Sequence, residues 1–202
     1  MAVYIAFEGG EGSGKSTQAS LLAERLDAVL TREPGGTGLG SRLRELLLNT
    51  TDVPIGARSE ALMMAADRAQ HLDQVIVPAL ASGRHVVSDR SAFSSMAYQG
   101  GGRKLGVDRI QQLNDFAIDG RWPDVVVLLT VPPDAARSRL DRDLDRIEQA
   151  GEGFHQRVVD AFTEMAAADP DRWVIVNGEG SIHEVAERVW QALQIRLAQP
   201  AP

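Results

Sequence analysis

The sequence predicts an α/β fold, a five-stranded parallel sheet flanked by helices on both faces. Three observations lead there. Five short apolar runs, Val3 to Phe7, Ala28 to Thr31, His85 to Ser88, Val125 to Thr130 and Trp173 to Val176, read as strands buried on both faces. Segments of helical periodicity lie between them, the alternation that builds a parallel sheet covered by helices. A glycine-rich turn, Gly9-Gly10-Glu11-Gly12-Ser13-Gly14, joins the first strand directly to the first helix.

That helix repeats Ala19, Leu22, Ala23 and Leu26 on one face. After the second strand comes Thr31-Arg32-Glu33-Pro34-Gly35-Gly36-Thr37, which reads either as a Pro-Gly turn capped by Thr37 or as a loop contacting substrate. A long helix is expected from about Ser59 towards Pro78, and Pro132-Pro133 marks the entry to another at the end of a strand. The last helix opens on the capping box Ser181-x-x-Glu184 and buries Ile182, Val185, Ala186, Val189, Trp190 and Leu193. Two segments read as mobile loops: Gly100-Gly101-Gly102-Arg103, and the charged stretch from Arg137 to Gly153. We therefore expect one domain over residues 1–202, with a lid at approximately 137–153.

Composition narrows the function. The chain has 202 residues and a formal net charge of −7, which argues against a nucleic-acid partner. It has no cysteine, hence no disulfide framework and no Cys-based metal site. The N-terminus enters a strand at once, and no apolar run approaches the roughly 18 residues of a membrane span. A soluble cytoplasmic protein without a membrane partner is the expectation. Arginine supplies 19 of the 21 basic residues; guanidinium forks suit phosphates, although genome composition produces the same skew.

The chemistry is concentrated where the strands end. Gly9 to Ser16 fits the phosphate-loop pattern G-x-x-x-x-G-K-[ST] in its required strand–loop–helix context. Gly9, Gly10, Glu11, Gly12, Ser13, Gly14, Lys15, Ser16 and Thr17 are accordingly the candidate nucleotide-binding residues. Backbone N–H groups cradle the phosphates at the helix N-terminus, Lys15 reaches the β and γ oxygens, and the Ser16 hydroxyl helps hold Mg²⁺. In Val86-Val87-Ser88-Asp89-Arg90 an acid and a base follow a strand, which suits Asp89 for Mg²⁺ or its water shell and Arg90 for a phosphate; an ordinary loop ion pair is the alternative. Arg137, Arg139, Arg142 and Arg146 alternate with Asp141, Asp143 and Asp145. They form either a solvated face or a set of arginines that neutralises a transferring phosphoryl group.

Taken together, FEGGEGSGKST, TREPGGTGLGSRLRELLL, EALMMAADR, VPALASGRHVVSDR, SSMAYQGGGR and LDRIE span nearly the whole chain, and in that order they resemble bacterial thymidylate kinase. The resemblance implies a phosphate-loop (P-loop) nucleoside monophosphate kinase fold with a mobile lid, ATP and Mg²⁺ as cofactors, dTMP as acceptor, dTDP as product, and a homodimer. It also implies roles. Arg44 and Arg90 grip the dTMP phosphate, Arg68 and Ser95 hydrogen-bond thymine, and Tyr98 packs beneath the deoxyribose with Gln99 beside it. Glu33, Pro34, Met64 and Ser94 complete the substrate set, and Glu11 orients the sugar 3′-hydroxyl. Because no variable position of the phosphate loop is basic, the catalytic arginine is expected from the lid, Arg146 first and Arg142 second, beside Lys15, Arg90 and Asp89. The resemblance departs at Met64, where the family usually stacks an aromatic ring on the base; a thioether contributes about 0.3–1.5 kcal/mol on an aromatic face. The loop Asn177-Gly178-Glu179-Gly180-Ser181 is the candidate for adenine.

Two other readings share these motifs. A deoxynucleoside kinase also carries a phosphate loop, a Glu-Pro such as Glu33-Pro34 and an Asp-Arg-Ser such as Asp89-Arg90-Ser91. Its acceptor hydroxyl must lose a proton, so Glu33 would be the base. A nucleotide-driven switch on the same loop would hydrolyse its nucleotide slowly without an acceptor.

Overall fold

The computed structural model describes residues 1–49, 53–139 and 145–197. Five strands, β1 (Tyr4–Glu8), β2 (Val29–Arg32), β3 (Val86–Asp89), β4 (Val125–Thr130) and β5 (Trp173–Asn177), form one parallel sheet in the order β2-β3-β1-β4-β5. All five expected strands are present. β1, β2, β3 and β5 each end one residue beyond their apolar runs, because the ladder pairs Glu8 with Leu128, Arg32 and Phe7 with Asp89, and Asn177 with Thr130, carrying polar residues to the sheet's C-terminal edge.

Alternation along the strands divides the core. Ile5, Phe7, Val125, Val127 and Leu129 pack with Ala19, Leu22 and Ala23 of α1 (Lys15–Leu26) and with Val185, Val189 and Leu193 of α9 (Ile182–Leu197). Tyr4, Val86, Val126 and Leu128 turn to the opposite face. There they meet α3 (Ala57–His71), α5 (Ala92–Ser95), α6 (Val107–Ala117) and α8 (Glu152–Ala168). The capping box at the start of α9 is formed, with Ser181 Oγ donating to Glu184 Oε2 at 2.8 Å.

Thr37 caps α2 (Gly38–Arg44) by accepting from the Gly40 N–H at 2.9 Å. The long helix runs past its expected end, because α3 continues through a π-helical turn, Leu72–Ile76, into α4 (Val77–Ala81). Pro78 sits in the first turn of α4, directly after the π-helical turn. Pro133 likewise opens α7 (Pro133–Ser138).

The glycine triplet is a correction. Gly100-Gly101-Gly102 is no mobile loop but part of a π-helical extension of α5, Met96–Gly102. A Cβ on Gly102 would lie 2.5 Å from Phe154, and one on Gly101 3.0 Å from Ala161, so these residues lack side chains because α8 passes directly over them. Among the described residues no helix is long and apolar enough to cross a membrane.

Candidate active site

β1 lies between β3 and β4, where successive crossovers leave in opposite directions, and the loop at its C-terminal end sits at this switch point. Close approach explains the glycines there. A Cβ on Gly9 (φ 142°) would lie 2.5 Å from the Leu129 carbonyl oxygen, and one on Gly12 (φ 71°) 2.3 Å from that of Ala136. Gly14 caps α1 in the left-handed region at φ 92°. Lys15 is buried and folds over the loop, donating from Nζ to the Gly10 carbonyl at 2.7 Å and to Ser13 Oγ at 3.3 Å. Burial and the neighbouring Arg90 lower its pKa to about 8 against the pull of Glu11 and Asp89.

The Ser16 hydroxyl donates to Asp89 Oδ2, while Asp89 Oδ1 is buried with no hydrogen-bond partner among the described residues. An orphaned carboxylate oxygen beside a hydroxyl, facing a phosphate loop, fits Mg²⁺, which takes one or two protein oxygens together with water and phosphate.

Arg90 follows Asp89 in the left-handed region at φ 74°, its N–H donating to the Phe7 carbonyl at 3.0 Å and its carbonyl accepting from Ser88 Oγ at 2.7 Å. Its guanidinium donates to Glu11 and, at 3.2 Å, to Ser94 Oγ, and stands 5.1 Å from the Tyr98 ring centroid. Burial alone would lower its pKa; Glu11, Tyr98 and Asp89 instead hold it well above the ordinary value. Glu11 Oε1 also accepts from the Tyr98 hydroxyl at 3.1 Å, so the loop carboxylate turns inward to the acceptor side. Arg44 approaches from α2, donating to the Pro34 carbonyl at 2.8 Å.

Glu8 supports this group and was not singled out by the sequence. It is fully buried, accepting through Oε1 from the Ser91 N–H and hydroxyl, both at 2.8 Å, and through Oε2 from Ser94 Oγ at 2.6 Å. It thereby fixes the start of α5 and the serine that receives Arg90. Its only local signal is a carboxylate where an apolar strand meets the loop.

Arg68 lies 2 % exposed beneath a second cavity. It donates from Nε to Glu33 Oε2 at 2.7 Å, from Nη1 to Ser95 Oγ at 2.6 Å and to Asn114 Oδ1 at 3.1 Å, and from Nη2 to the Ser91 carbonyl at 3.0 Å. The other Glu33 oxygen meets His71 Nδ1 at 2.9 Å, and His71 Nε2 pairs with Thr31 Oγ1 at 2.6 Å. Burial pushes the Glu33 carboxyl up, but Arg68 and His71 outweigh it and hold the carboxyl below its usual range. Asp67 accepts from the Gly35 N–H at 3.0 Å, and its Oδ2 is buried without a partner among the described residues. Burial and nearby Glu33 raise its pKa to about 6.

Two cavities result. The larger, about 620 Å³, is lined by Glu11, Gly12, Gly14, Lys15, Ser16, Thr17, Asp89, Glu33, Gly35 and Gly36. The smaller, about 90 Å³, is lined by Met64, Arg68, Ser94, Ser95, Tyr98, Gln99 and Pro34. They share Glu11, Glu33, Arg44 and Arg90, so two arginines stand at their junction. Met64 belongs both to this cavity wall and to the hydrophobic core, which removes the choice between those positions.

The described arginines of the charged stretch, Arg137, Arg139 and Arg146, line neither cavity. Arg146 faces neither cavity: its Nε donates to the Leu47 carbonyl at 2.8 Å and its Nη2 to the buried carboxylate of Glu60 at 2.7 Å. Arg142 falls outside the described residues. Arg139 reaches the carbonyls of Gly12, at 3.4 Å, and Gly178, at 3.1 Å, tying the phosphate loop to the loop after β5.

Residues 7–189 match the family model described as thymidylate kinase. The chain belongs to the thymidylate kinase family. A thymidylate kinase of a Synechococcus strain, JA-2-3B'a(2-13), is 46 % identical over 200 residues, covering 96 % of each chain. That of Cutibacterium acnes is 45 % identical over 194 residues, covering 94 % of this chain and 95 % of its own. Among solved structures, the thymidylate kinase of Ehrlichia chaffeensis superposes with a TM-score of 0.79 at 34 % identity, covering 96 % of this chain and 98 % of that one. The five-stranded parallel sheet of this thymidylate kinase family member is that of the P-loop nucleoside monophosphate kinases.

Proposed function

We propose that this chain transfers the γ-phosphoryl group of ATP to the phosphate of dTMP, giving ADP and dTDP. The observation that carries the reading is the pair of cavities meeting at Arg44 and Arg90. One is built on a phosphate loop and the other is floored by the buried Arg68 guanidinium, whose donors suit the polar edge of a pyrimidine. ATP phosphates occupy the loop over Lys15. The dTMP phosphate lies between Arg44 and Arg90, its deoxyribose on Tyr98 with Glu11 beside the 3′-hydroxyl, and its base against Met64, Arg68, Ser95 and Gln99. Ser16 and Asp89 hold Mg²⁺, which supplies charge neutralisation to the donor phosphates when bound.

A phosphate monoester has a second pKa near 6, so the attacking oxygen is already ionised at neutral pH and needs no base. The protein's work is alignment and neutralisation by Lys15, Arg44 and Arg90. Arg146 enters the reaction only by exchanging Glu60 for a phosphate. Glu33 is a poor base because both its oxygens are engaged and its carboxyl is held acidic, which weighs against transfer to a nucleoside hydroxyl.

The family resemblance extends the proposal to a homodimer in the cytoplasm, with residues 137–153 as the lid. Light scattering of the purified chain at a dimer's mass supports the first point, and a monomer overturns it. The function is tested by product analysis of Mg-ATP plus dTMP with wild type and Glu33→Gln. We expect dTDP from both, the variant within about tenfold of wild type, whereas a general base would account for 10²–10⁴-fold. No dTDP from the wild type overturns the reading.

A further inference from the structure

Glu60, in the first turn of α3, is a carboxylate with no solvent exposure, and its oxygens are filled. Oε1 accepts from Gln99 Nε2 at 2.8 Å and Arg103 Nε at 3.2 Å; Oε2 accepts from Arg103 Nη2 at 3.1 Å and Arg146 Nη2 at 2.7 Å. Burial pushes its carboxyl up, but the hydrogen bonds of Arg103, Gln99 and Arg146 outweigh it and keep the carboxyl ionised. Gln99 is itself 1 % exposed and lines the smaller cavity beside Met64, Arg68 and Ser95.

An amide presents two donors on one side and an acceptor on the other, and an ionised carboxylate only accepts. Glu60 therefore dictates which end of Gln99 faces it. The NH₂ turns to Glu60 and the carbonyl oxygen is the end left to the cavity. We propose that Glu60 is a specificity-determining positioning residue, holding the Gln99 amide in the one orientation that accepts a hydrogen from N3 of a pyrimidine.

The inference rests on the acceptor reading above and deepens it. Among the described residues four of the five Arg68 N–H groups are engaged by protein, leaving one Nη2 hydrogen, and Arg68 and Gln99 line the same cavity, so together they can offer it a donor and an acceptor. Donor beside acceptor matches the O4 and N3–H edge of thymine or uracil. Cytosine offers the reverse, an N4 amino donor and an N3 lone pair, and meets two mismatches. An unrestrained glutamine would repair one of them by turning over. Against Glu60 that turn sets two buried acceptors face to face, so the Gln99–Glu60 contact loses its hydrogen and becomes repulsive, while Glu60 keeps only its arginine donors. Neither group distinguishes thymine from uracil, so this pair sets the class of base rather than its methyl group.

The test compares kcat/KM for dTMP and dCMP in four proteins. In Glu60→Gln the amide introduced at position 60 can offer either end, so the dTMP:dCMP ratio is expected to fall at least about tenfold, mainly through a raised KM for dTMP. In the double variant Glu60→Gln, Gln99→Glu, the carboxylate introduced at position 99 again only accepts, and the preference is expected to return. Arg103→Gln removes part of the ion pair while keeping the Glu60–Gln99 bond, and its ratio is expected to match wild type even if its melting temperature drops. Should Glu60→Gln fail to fold, the double and Arg103 variants decide alone. An unchanged ratio in folded Glu60→Gln, a double variant without restored preference, or an equal loss in Arg103→Gln overturns the inference. Wild type that phosphorylates no pyrimidine monophosphate is a different result, seen before any variant is made, and refutes the acceptor reading and this inference together.

Discussion

Replacing Arg68 with Met keeps the length of the side chain and removes its charge. The structure sets the size of the effect. Glu33, 3 % exposed, loses the Nε–H that reaches its Oε2 at 2.7 Å and is left with His71 alone. The Ser91 carbonyl and Asn114 Oδ1 also lose a donor inside the core. Removing one partner of a buried ion pair costs about 3–5 kcal/mol, because the other charge stays buried without compensation. At about 2–4 °C per kcal/mol for a protein of this size, the melting temperature should fall by roughly 6–20 °C. Adding Glu33→Gln removes the stranded charge, so the double variant should be more stable than the two single losses summed, with a coupling of at least about 2 kcal/mol. Urea denaturation of all four proteins at pH 7 reads that cycle. The acid limb gives a second check. A carboxyl whose folded pKa is depressed contributes stability that is complete above its unfolded pKa and is lost as pH falls through the folded value. Wild type should thus lose this contribution below about pH 4.5, and Arg68→Met should lack it. Additivity within about 0.5 kcal/mol would refute the Arg68–Glu33 pair as the support of the base cavity.

Lys15→Ala should abolish phosphoryl transfer while leaving the melting temperature near that of wild type or higher, since a buried cation is removed; near-normal turnover in a folded variant contradicts the phosphate-loop role. Asp67→Asn should become more stable relative to wild type as pH rises from about 4 to 6. Because the folded pKa is raised to about 6, wild type alone must keep a proton on this carboxyl across that window while the unfolded chain releases it, a difference on the order of 3 kcal/mol once the window is crossed, and parallel urea curves would refute this. Gly102→Ala places a methyl 2.5 Å from the Phe154 ring and should destabilise by about 1–3 kcal/mol in a thermal melt, whereas an unaffected melt would return the triplet to a loose loop.

Much of the fold is legible because its signals are local. A strand buried on both faces must be a continuous apolar run, and the Ser181–Glu184 box closes within one helical turn. The phosphate loop, Asp89, Arg90 and Thr37 likewise sit where short-range chemistry places them. What was not legible depends on partners far away in sequence. Glycines at 100–102 give the same signal whether they free a loop or admit a helix, and only Phe154 and Ala161 distinguish the two. Arg146 reads as a lid cation until Glu60, 86 positions earlier, is seen to hold it. Glu8 lies inside a quoted motif without a role of its own there, and His71 and Asn114 lie outside the quoted motifs; they matter because a serine, a carboxylate and a guanidinium need them across gaps of dozens of residues.

The central claim is that one cavity delivers a phosphoryl group and the adjoining one presents a pyrimidine nucleotide's phosphate to it. ADP formation from Mg-ATP with dTMP, dUMP, dCMP, dGMP, AMP, thymidine and no acceptor measures that directly. The account predicts turnover with dTMP, weaker turnover with dUMP, and little with the others. Preference for thymidine would make Glu33 the base and the phosphate clamp wrong, and equal ADP formation without any acceptor would make the chain a hydrolytic switch.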